Sequence, residues 1–291
     1  MSSTTSLILE SDPRKRLIRV GYVARRNPLL IIGILVIGIW ILVALFAPTL
    51  GTHGILAQDV SSRLQPPSET HYWGTDELGR DIYSRVLYGA RITLPAGIAV
   101  IIIGSIIGTI IGAIAGFLGG FWDEVIMRLT ELFMAFPTII LAMAITAALG
   151  PDIRNAIIAL VVVWWPSYAR LIRGLVLKVK QYEYVEAARC IGASRGYILW
   201  RTIIPNCIAP TVVLTTLDIG NAILTFAGLS FLGLGPEPTS PEWGRMVAVG
   251  IDYFDQWWTW LFPGIAIASL VIAFNFIGDS LRDLLDPQRQ L

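Results

Sequence analysis

Apolar residues run in long unbroken stretches along this chain, and charge is largely confined to the segments between them. A helix that crosses a lipid bilayer needs about 20 mostly apolar residues, and six stretches reach that length. They are Pro28 to Leu50, Ile92 to Leu118, Val125 to Leu149, Asn155 to Leu177, Asn206 to Leu234 and Trp260 to about Ile277. The third carries Arg128 and Glu131 near its start, and the fourth carries Arg170 and Arg173 in its last turns. The pattern predicts an all-α polytopic membrane protein with six transmembrane helices.

Within the spans, polar and small residues recur at helical spacing. Gly104, Gly108, Gly112, Gly116 and Gly120 fall four apart along the second span. Lipid supplies no hydrophobic force between helices, so close backbone approach over small residues must hold them together. The row predicts tight contact with a neighbouring span. Pro137 and Pro166 each remove a backbone donor and can kink the third and fourth spans. On the fifth span Thr211, Thr215, Asp218, Asn221 and Thr225 share one face. Two readings stand open there: a pore-facing stripe, or hydrogen bonding between helices alone. Asn275 and Asp279 are four apart in the sixth span, with Asp279 at its solvated end.

Composition agrees with the span count. The chain of 291 residues is 55% hydrophobic and 15% charged, with a mean hydropathy of +0.66, whereas a soluble domain carries about a quarter of its residues as charges. A net charge of +1 gives no sign of nucleic-acid binding. The basic residues fix a direction. Arg14, Lys15, Arg16, Arg19, Arg25 and Arg26 precede the first span, and Arg170, Arg173, Lys178, Lys180, Arg189, Arg195 and Arg201 flank or fill the segment between the fourth and fifth. Arg282 and Arg289 follow the sixth, while the opposite side holds Arg63, Arg80, Arg85, Arg91, Arg154 and Arg245. The positive-inside rule then places both termini in the cytoplasm, as six crossings require. The basic leader is too long and the first apolar run too extended for a cleaved signal peptide, so an uncleaved anchor is expected. Cys190 and Cys207 are too few for a disulfide framework and fall on the reducing side. His53 and His71, the only two histidines, are too few for a His-rich metal site, and no metal is expected.

Two outer loops follow from this topology. Gly51 to Arg91 carries Pro66-Pro67 and Trp73 to Asp81, and is either functional or a solvated spacer. Gly235 to Trp258 ends in Trp257-Trp258, which with Trp260 reads as an interfacial belt. The cytoplasmic segment 178–205 is too polar to span. Tyr184, Val185, Ala188 and Ile191 share a helical face, Gly192 can end that helix in a left-handed conformation, and Ser194 can cap a second short helix, Arg195 to Arg201. Pro205 then marks the entry to the fifth span. The expectation is two short helices at an angle, a rigid knob able to transmit force from a soluble partner.

The run Glu186-Ala187-Ala188, then three residues, Gly192, then nine residues, ending in Ile204-Pro205, resembles the EAA loop of ATP-binding-cassette (ABC) importer permeases. The chain departs from that pattern at Thr202 and Ile204, where isoleucine and leucine are usual. The resemblance extends over nearly the whole chain. Trp73 to Asp81, Tyr88 to Arg91, Gly228 to Gly235, Pro241 to Gly244 and Gly278 to Pro287 are similar to blocks of C-type permeases of dipeptide and oligopeptide importers. It implies a type I importer half-pore in the inner (plasma) membrane. Its partners would be a second permease subunit, two ABC ATPase subunits and an extracytoplasmic solute-binding protein. Glu186, Ala187, Ala188, Gly192, Ser194, Ile204 and Pro205 would couple it to the ATPase, with Glu186 in polar contact there and Gly192 setting the bend. Cargo in such systems includes dipeptides, longer peptides, glutathione and nickel complexes.

One exclusion comes from the residues themselves. A phosphate-binding P-loop needs Gly-Lys followed by Ser or Thr. The lysines are Lys15, Lys178 and Lys180, and none follows a glycine. The chain therefore cannot bind ATP by that motif, and the resemblance implies a non-catalytic subunit without a cofactor, with ATP and magnesium on partner subunits. The competing reading is an ion-coupled secondary transporter using Asp218 or Asp279. The expected parts are a tail (1–28), the first span with its outer loop (29–91), a five-helix core (92–280) and a second tail (281–291).

Overall fold

The computed structural model describes residues 27–237 and 239–285. The basic leader from Arg14 to Arg26 and the tail from Asp286, with Arg289, lie outside the described residues. The described residues form helices with no named strand; a single isolated bridge joins Thr75 and Asp81.

Helix α1 (Pro28–Leu50) matches the first predicted span, with Pro28 opening it where a missing N–H costs nothing. Helix α2 (Ile82–Leu118) starts at Ile82 and not at Ile92, because Asp81 caps it by accepting from the Ser84 amide at 2.8 Å. Its extra turns carry Ser84 and Arg85, both buried under the outer loop, so their polarity marks a covered segment and not a solvated one. Helices α3 (Gly120–Met134) and α4 (Thr138–Leu149) replace the single third span and meet at 89°. Pro137 stands at the break in an extended conformation and supplies no backbone donor. Pro166, by contrast, sits inside an uninterrupted α5 (Ile153–Val179).

The bent pair still runs the length of α5. Arg173, near the end of α5, clamps Asp123 with two bonds of 2.6 Å, and Asn155, near its start, donates to the Leu149 carbonyl at 2.9 Å. Two legs of about 22 and 18 Å at a right angle reach about 29 Å, close to the bilayer core. Counting this pair as one crossing gives six in all.

Beyond α5, α6 (Glu183–Cys190) and α7 (Arg195–Tyr197) make the knob. The second short helix does not stop at Arg201: α7 passes through a π-helical stretch (Ile198–Ile203) straight into α8 (Ile204–Phe231). Pro205 begins α8 instead of separating two elements, because the π turn ahead of it tolerates a missing donor. Helix α8 ends at Phe231, short of Leu234, where Gly233 takes φ 81° and the Leu234 amide reaches back to the Leu229 carbonyl.

The second outer loop contains a helix the apolar pattern did not predict, α9 (Trp243–Ile251). Glu242 caps it, accepting from the amides of Gly244 and Arg245 at 3.0 and 2.8 Å. Glu242 is fully buried; burial pushes its carboxyl above the ordinary glutamate range while those amides pull it back. Trp243 is equally buried, and its indole donates to the Val86 carbonyl at 2.9 Å. Helix α10 (Trp258–Leu285) closes the bundle. Trp258, read as part of an interfacial belt, is instead buried with its indole on the Thr75 carbonyl; Trp257 is exposed. The first outer loop is likewise no solvated spacer, since Thr75, Asp76, Arg80 and Asp81 are all buried.

The core runs along α2. Gly104, Gly108 and Gly112 face Trp164, Trp165, Tyr168 and Ala169 of α5, as the glycine row predicts, although Gly120 meets nothing within 4 Å. A Cβ on Gly112 would lie 2.8 Å from Ala169 Cα and closer still to its carbonyl oxygen. Gly112→Val should therefore cost about 1–3 kcal/mol by overpacking and lower the melting temperature in detergent. Gly174→Ala on α5, where an added carbon meets nothing within 4 Å, should leave it unchanged or raised. Equal melting of Gly112→Val and the parent protein would refute the packing assignment.

Candidate functional site: a rigid knob at one end of the bundle

Helices α6 and α7 project from the end of the bundle where α2 and α5 finish. Val185 is the anchor. It is fully buried among Ile172, Val176 and Val179 of α5, Ala113 of α2, and Ile198, Leu199 and Ile203 of the π stretch. Ala188 and Ile204 pack on the same cluster. The predicted helical face is only half right, because Ile191 is 84% exposed and Tyr184 lies at the surface. The α6 helix ends just before Ile191, so the helical period no longer carries that residue inward.

The turn has the expected chemistry. Gly192 adopts φ 81°, its amide donates to the Arg189 carbonyl, and the Ala193 amide reaches the Ala188 carbonyl at 3.1 Å. This is a left-handed helix stop. The Ser194 hydroxyl accepts from the Tyr197 amide at 3.3 Å and so caps α7. Glu186, Ala187, Gly192, Ser194 and Pro205 are exposed, and Ala188 and Ile204 are half-buried. The knob thus presents a carboxylate and an apolar tip on a fixed base.

Two polar ties brace that base. Lys180 donates to the Phe117 carbonyl at 2.8 Å, satisfying an orphan acceptor at the end of α2. The Asp123–Arg173 fork joins α3 to α5. Neither tie was singled out from sequence; Arg173 could have been, since an arginine in the last turns of a span requires a partner or water.

On the α8 polar face, Asp218 accepts from the Tyr168 hydroxyl of α5 at 2.9 Å. Thr211, Thr215 and Thr225 return their hydroxyls to carbonyls one turn back on their own helix. Asn221 is exposed. The five residues share a helix face, and Asp218 and Asn221 on it are hydrogen-bonded to each other. Asp279 is exposed at the knob end of α10.

Comparison with known proteins decides the family. Residues 108–290 match the model for the binding-protein-dependent transport system inner membrane component, and residues 22–67 match the N-terminal TM domain of oligopeptide transport permease C. The chain belongs to this family. It is a multi-pass inner-membrane permease subunit of the C type found in peptide ABC importers. It is 45% identical to the probable D,D-dipeptide transport system permease protein DdpC of Escherichia coli, over 93% of this chain and 91% of that protein. It is 43% identical to the dipeptide transport system permease protein DppC of Alkalihalophilus pseudofirmus, over 91% and 87%. It is 48% identical to the glutathione transport system permease protein GsiD of Salmonella paratyphi A, over 91% and 88%. None of these relatives supports an ion-coupled carrier.

The local geometry of the knob yields a direct check. Gly192→Ala forces a left-handed residue to carry a side chain, at about 1–2 kcal/mol, and Ser194→Ala removes a cap, at about 1 kcal/mol. Each should speed amide hydrogen exchange across residues 183–197 while the buried outer loop around Asp81 exchanges as before. Unchanged exchange in the knob would show that these residues do not hold its shape.

Proposed function

We propose that this chain forms half of the translocation pathway for dipeptides, oligopeptides or a related small solute such as glutathione, and that the α6–α7 knob couples it to a separate ATPase. The observation that carries the reading is the knob itself: an exposed carboxylate and apolar tip fixed to the bundle by a fully buried Val185. A rigid projection with unpartnered apolar surface suits docking into a groove on another protein. The positive-inside rule puts this end in the cytoplasm, where ATP is available. With no Gly-Lys pair of its own, the chain takes its driving energy from ATP and magnesium bound on the partners.

The remaining partners follow from the family's organisation: a second permease that completes the pore, two ATPases, and an extracytoplasmic solute-binding protein that delivers cargo to the opposite end. Closure of the ATPases moves the knob, and because α7 continues into α8 without a break, that motion enters the fifth span directly. The cargo classes are those of the relatives' names, a D,D-dipeptide, a dipeptide and glutathione. All are short peptides or built like them.

The assembled transporter reconstituted in lipid tests the coupling. Glu186→Ala with Gly192→Ala should reduce substrate-stimulated ATP hydrolysis at least about tenfold, the cost of roughly 1.4 kcal/mol of lost docking. Full substrate-stimulated hydrolysis in that double variant would sink the assignment. Asp218→Asn provides the contrast: it can keep the contact with Tyr168, and ATP-driven uptake should persist. Uptake by the chain alone on an ion gradient, abolished by Asp218→Asn, would instead establish ion coupling.

A further inference from the structure

We propose that His53, His71 and Asp81 form a binding site for a divalent transition-metal ion of the zinc, nickel or copper type, at the end of the bundle opposite the knob. The proposal stands apart from the coupling reading and needs none of its residues.

The chain has only two histidines, and the fold brings both to one point. His53 follows the end of α1, His71 lies in the outer loop, and Asp81 caps α2. The two imidazoles stack with centroids 4.6 Å apart. One potential ligand atom from each of the three residues falls within 4.8 Å of the other two. His71 Nδ1 is 2.9 Å from Asp81 Oδ1, and His53 Nδ1 is 3.8 Å from the same oxygen.

Metal bonds of about 2.0–2.2 Å in tetrahedral array separate neighbouring ligand atoms by about 3.3 Å. The 2.9 and 3.8 Å separations lie on either side of that value. All three ligand atoms lie within 4.8 Å of one another, and the exposed His53 ring, now hydrogen-bonded to the Thr52 hydroxyl, would make the larger adjustment.

The carboxylate is already oriented. Asp81 is 2% exposed. Its Oδ2 accepts from the Ser84 amide at 2.8 Å and from the Thr52 hydroxyl at 3.3 Å, leaving Oδ1 turned to the imidazoles. Outer-shell bonds of this kind fix a ligand's direction and sharpen metal affinity. The backbone at His53 is held too, because its amide donates to the Ser84 hydroxyl at 3.0 Å. Two nitrogens and one oxygen suit zinc, nickel and copper over magnesium or calcium, which take oxygen. The exposed side at His53 leaves a coordination position for water or a ligand atom of cargo.

Such an ion would staple the end of α1 to the start of α2 through the intervening loop. Helix α1 buries little of its own surface: among its residues Gly33 and Ala47 alone are fully covered. A metal tie at its outer end would add to the packing of Ile37, Trp40, Val43 and Ala44 that holds it to the core.

The transporter containing this chain, in lipid nanodiscs and stripped with a chelator, should be titrated with Zn²⁺ and with Co²⁺. The readouts are bound metal after dialysis and the Co²⁺ visible absorption. The parent complex should bind one equivalent more than a complex carrying His53→Gln with His71→Gln. Zinc should raise the melting temperature of the parent and leave that of the double variant unmoved. His53→Gln alone, at an exposed position, keeps the fold intact and should weaken zinc binding at least about tenfold. Equal metal stoichiometry in parent and double variant would overturn the site. So would zinc affinity unaffected by His53→Gln.

Discussion

The backbones of α2 and α5 touch, and the rest of the bundle is arranged around that contact. In lipid there is little apolar gain from bringing helices together, so attraction must come from packing at short range. Gly108 and Gly112 allow it, because a single added carbon at either would collide with the α5 backbone. With α2 and α5 locked along their length, their ends are fixed in space. The Lys180–Phe117 and Asp123–Arg173 ties then finish the end that bears the knob, and the outer loop finishes the other.

The two ends are built differently. The outer end is a polar core under a cover: Arg80 is paired with Asp76 at 2.6 Å and Glu77 at 2.8 Å, Glu242 caps α9, and two buried tryptophans donate to backbone carbonyls, Trp243 to Val86 of α2 and Trp258 to Thr75 of the loop. Charges buried this way are costly unless paired, and the two tryptophan bonds with the Arg85 contacts to the Ile55, Thr239 and Ser240 carbonyls tie loop, α2, α9 and α10 into one block. The knob end rests on one apolar cluster around Val185, with the Lys180 and Arg173 ties bracing its base, and leaves Glu186 and Ser194 in solvent.

The six apolar runs, the glycine row and the turn at Gly192 were legible because each is a strong local pattern: a long run, a fixed period, a residue that alone tolerates φ 81°. The break at Pro137 was half legible. Pro137 and Pro166 look alike in sequence, yet the chain bends only at the first, since α5 is gripped along its length by α2 and α3–α4 is not. Helix α9 was hidden because its nine residues are too short to register as a span and it is buried by distant partners such as Val86. Ile191 misled because periodicity assumes the helix continues, and it stops one residue earlier. The meeting of His53, His71 and Asp81 could not be read at all: it depends on how a loop folds back, and spacing carries no trace of that.

Under the coupling role proposed for the knob, the continuity of α7 with α8 is what would transmit a load. A hinge between them would let the knob swing freely and dissipate any load. Here the helix runs unbroken, and the π turn is anchored on one side, with Ile198, Leu199 and Ile203 in the Val185 cluster and Trp200 and Arg201 at the surface. At its far end α8 is pinned as well, with Gly244 of α9 set against the Ala227 backbone so closely that no side chain fits between them. A load at the knob therefore meets a rod fixed at its outer end and packed along α2. Displacement would appear as tilt of α8 against its neighbours, and it would load the polar contacts between α8 and α5, Asp218 to Tyr168 among them. That places the residue most easily mistaken for an ion site at the point where the fifth span either holds to the core or leaves it.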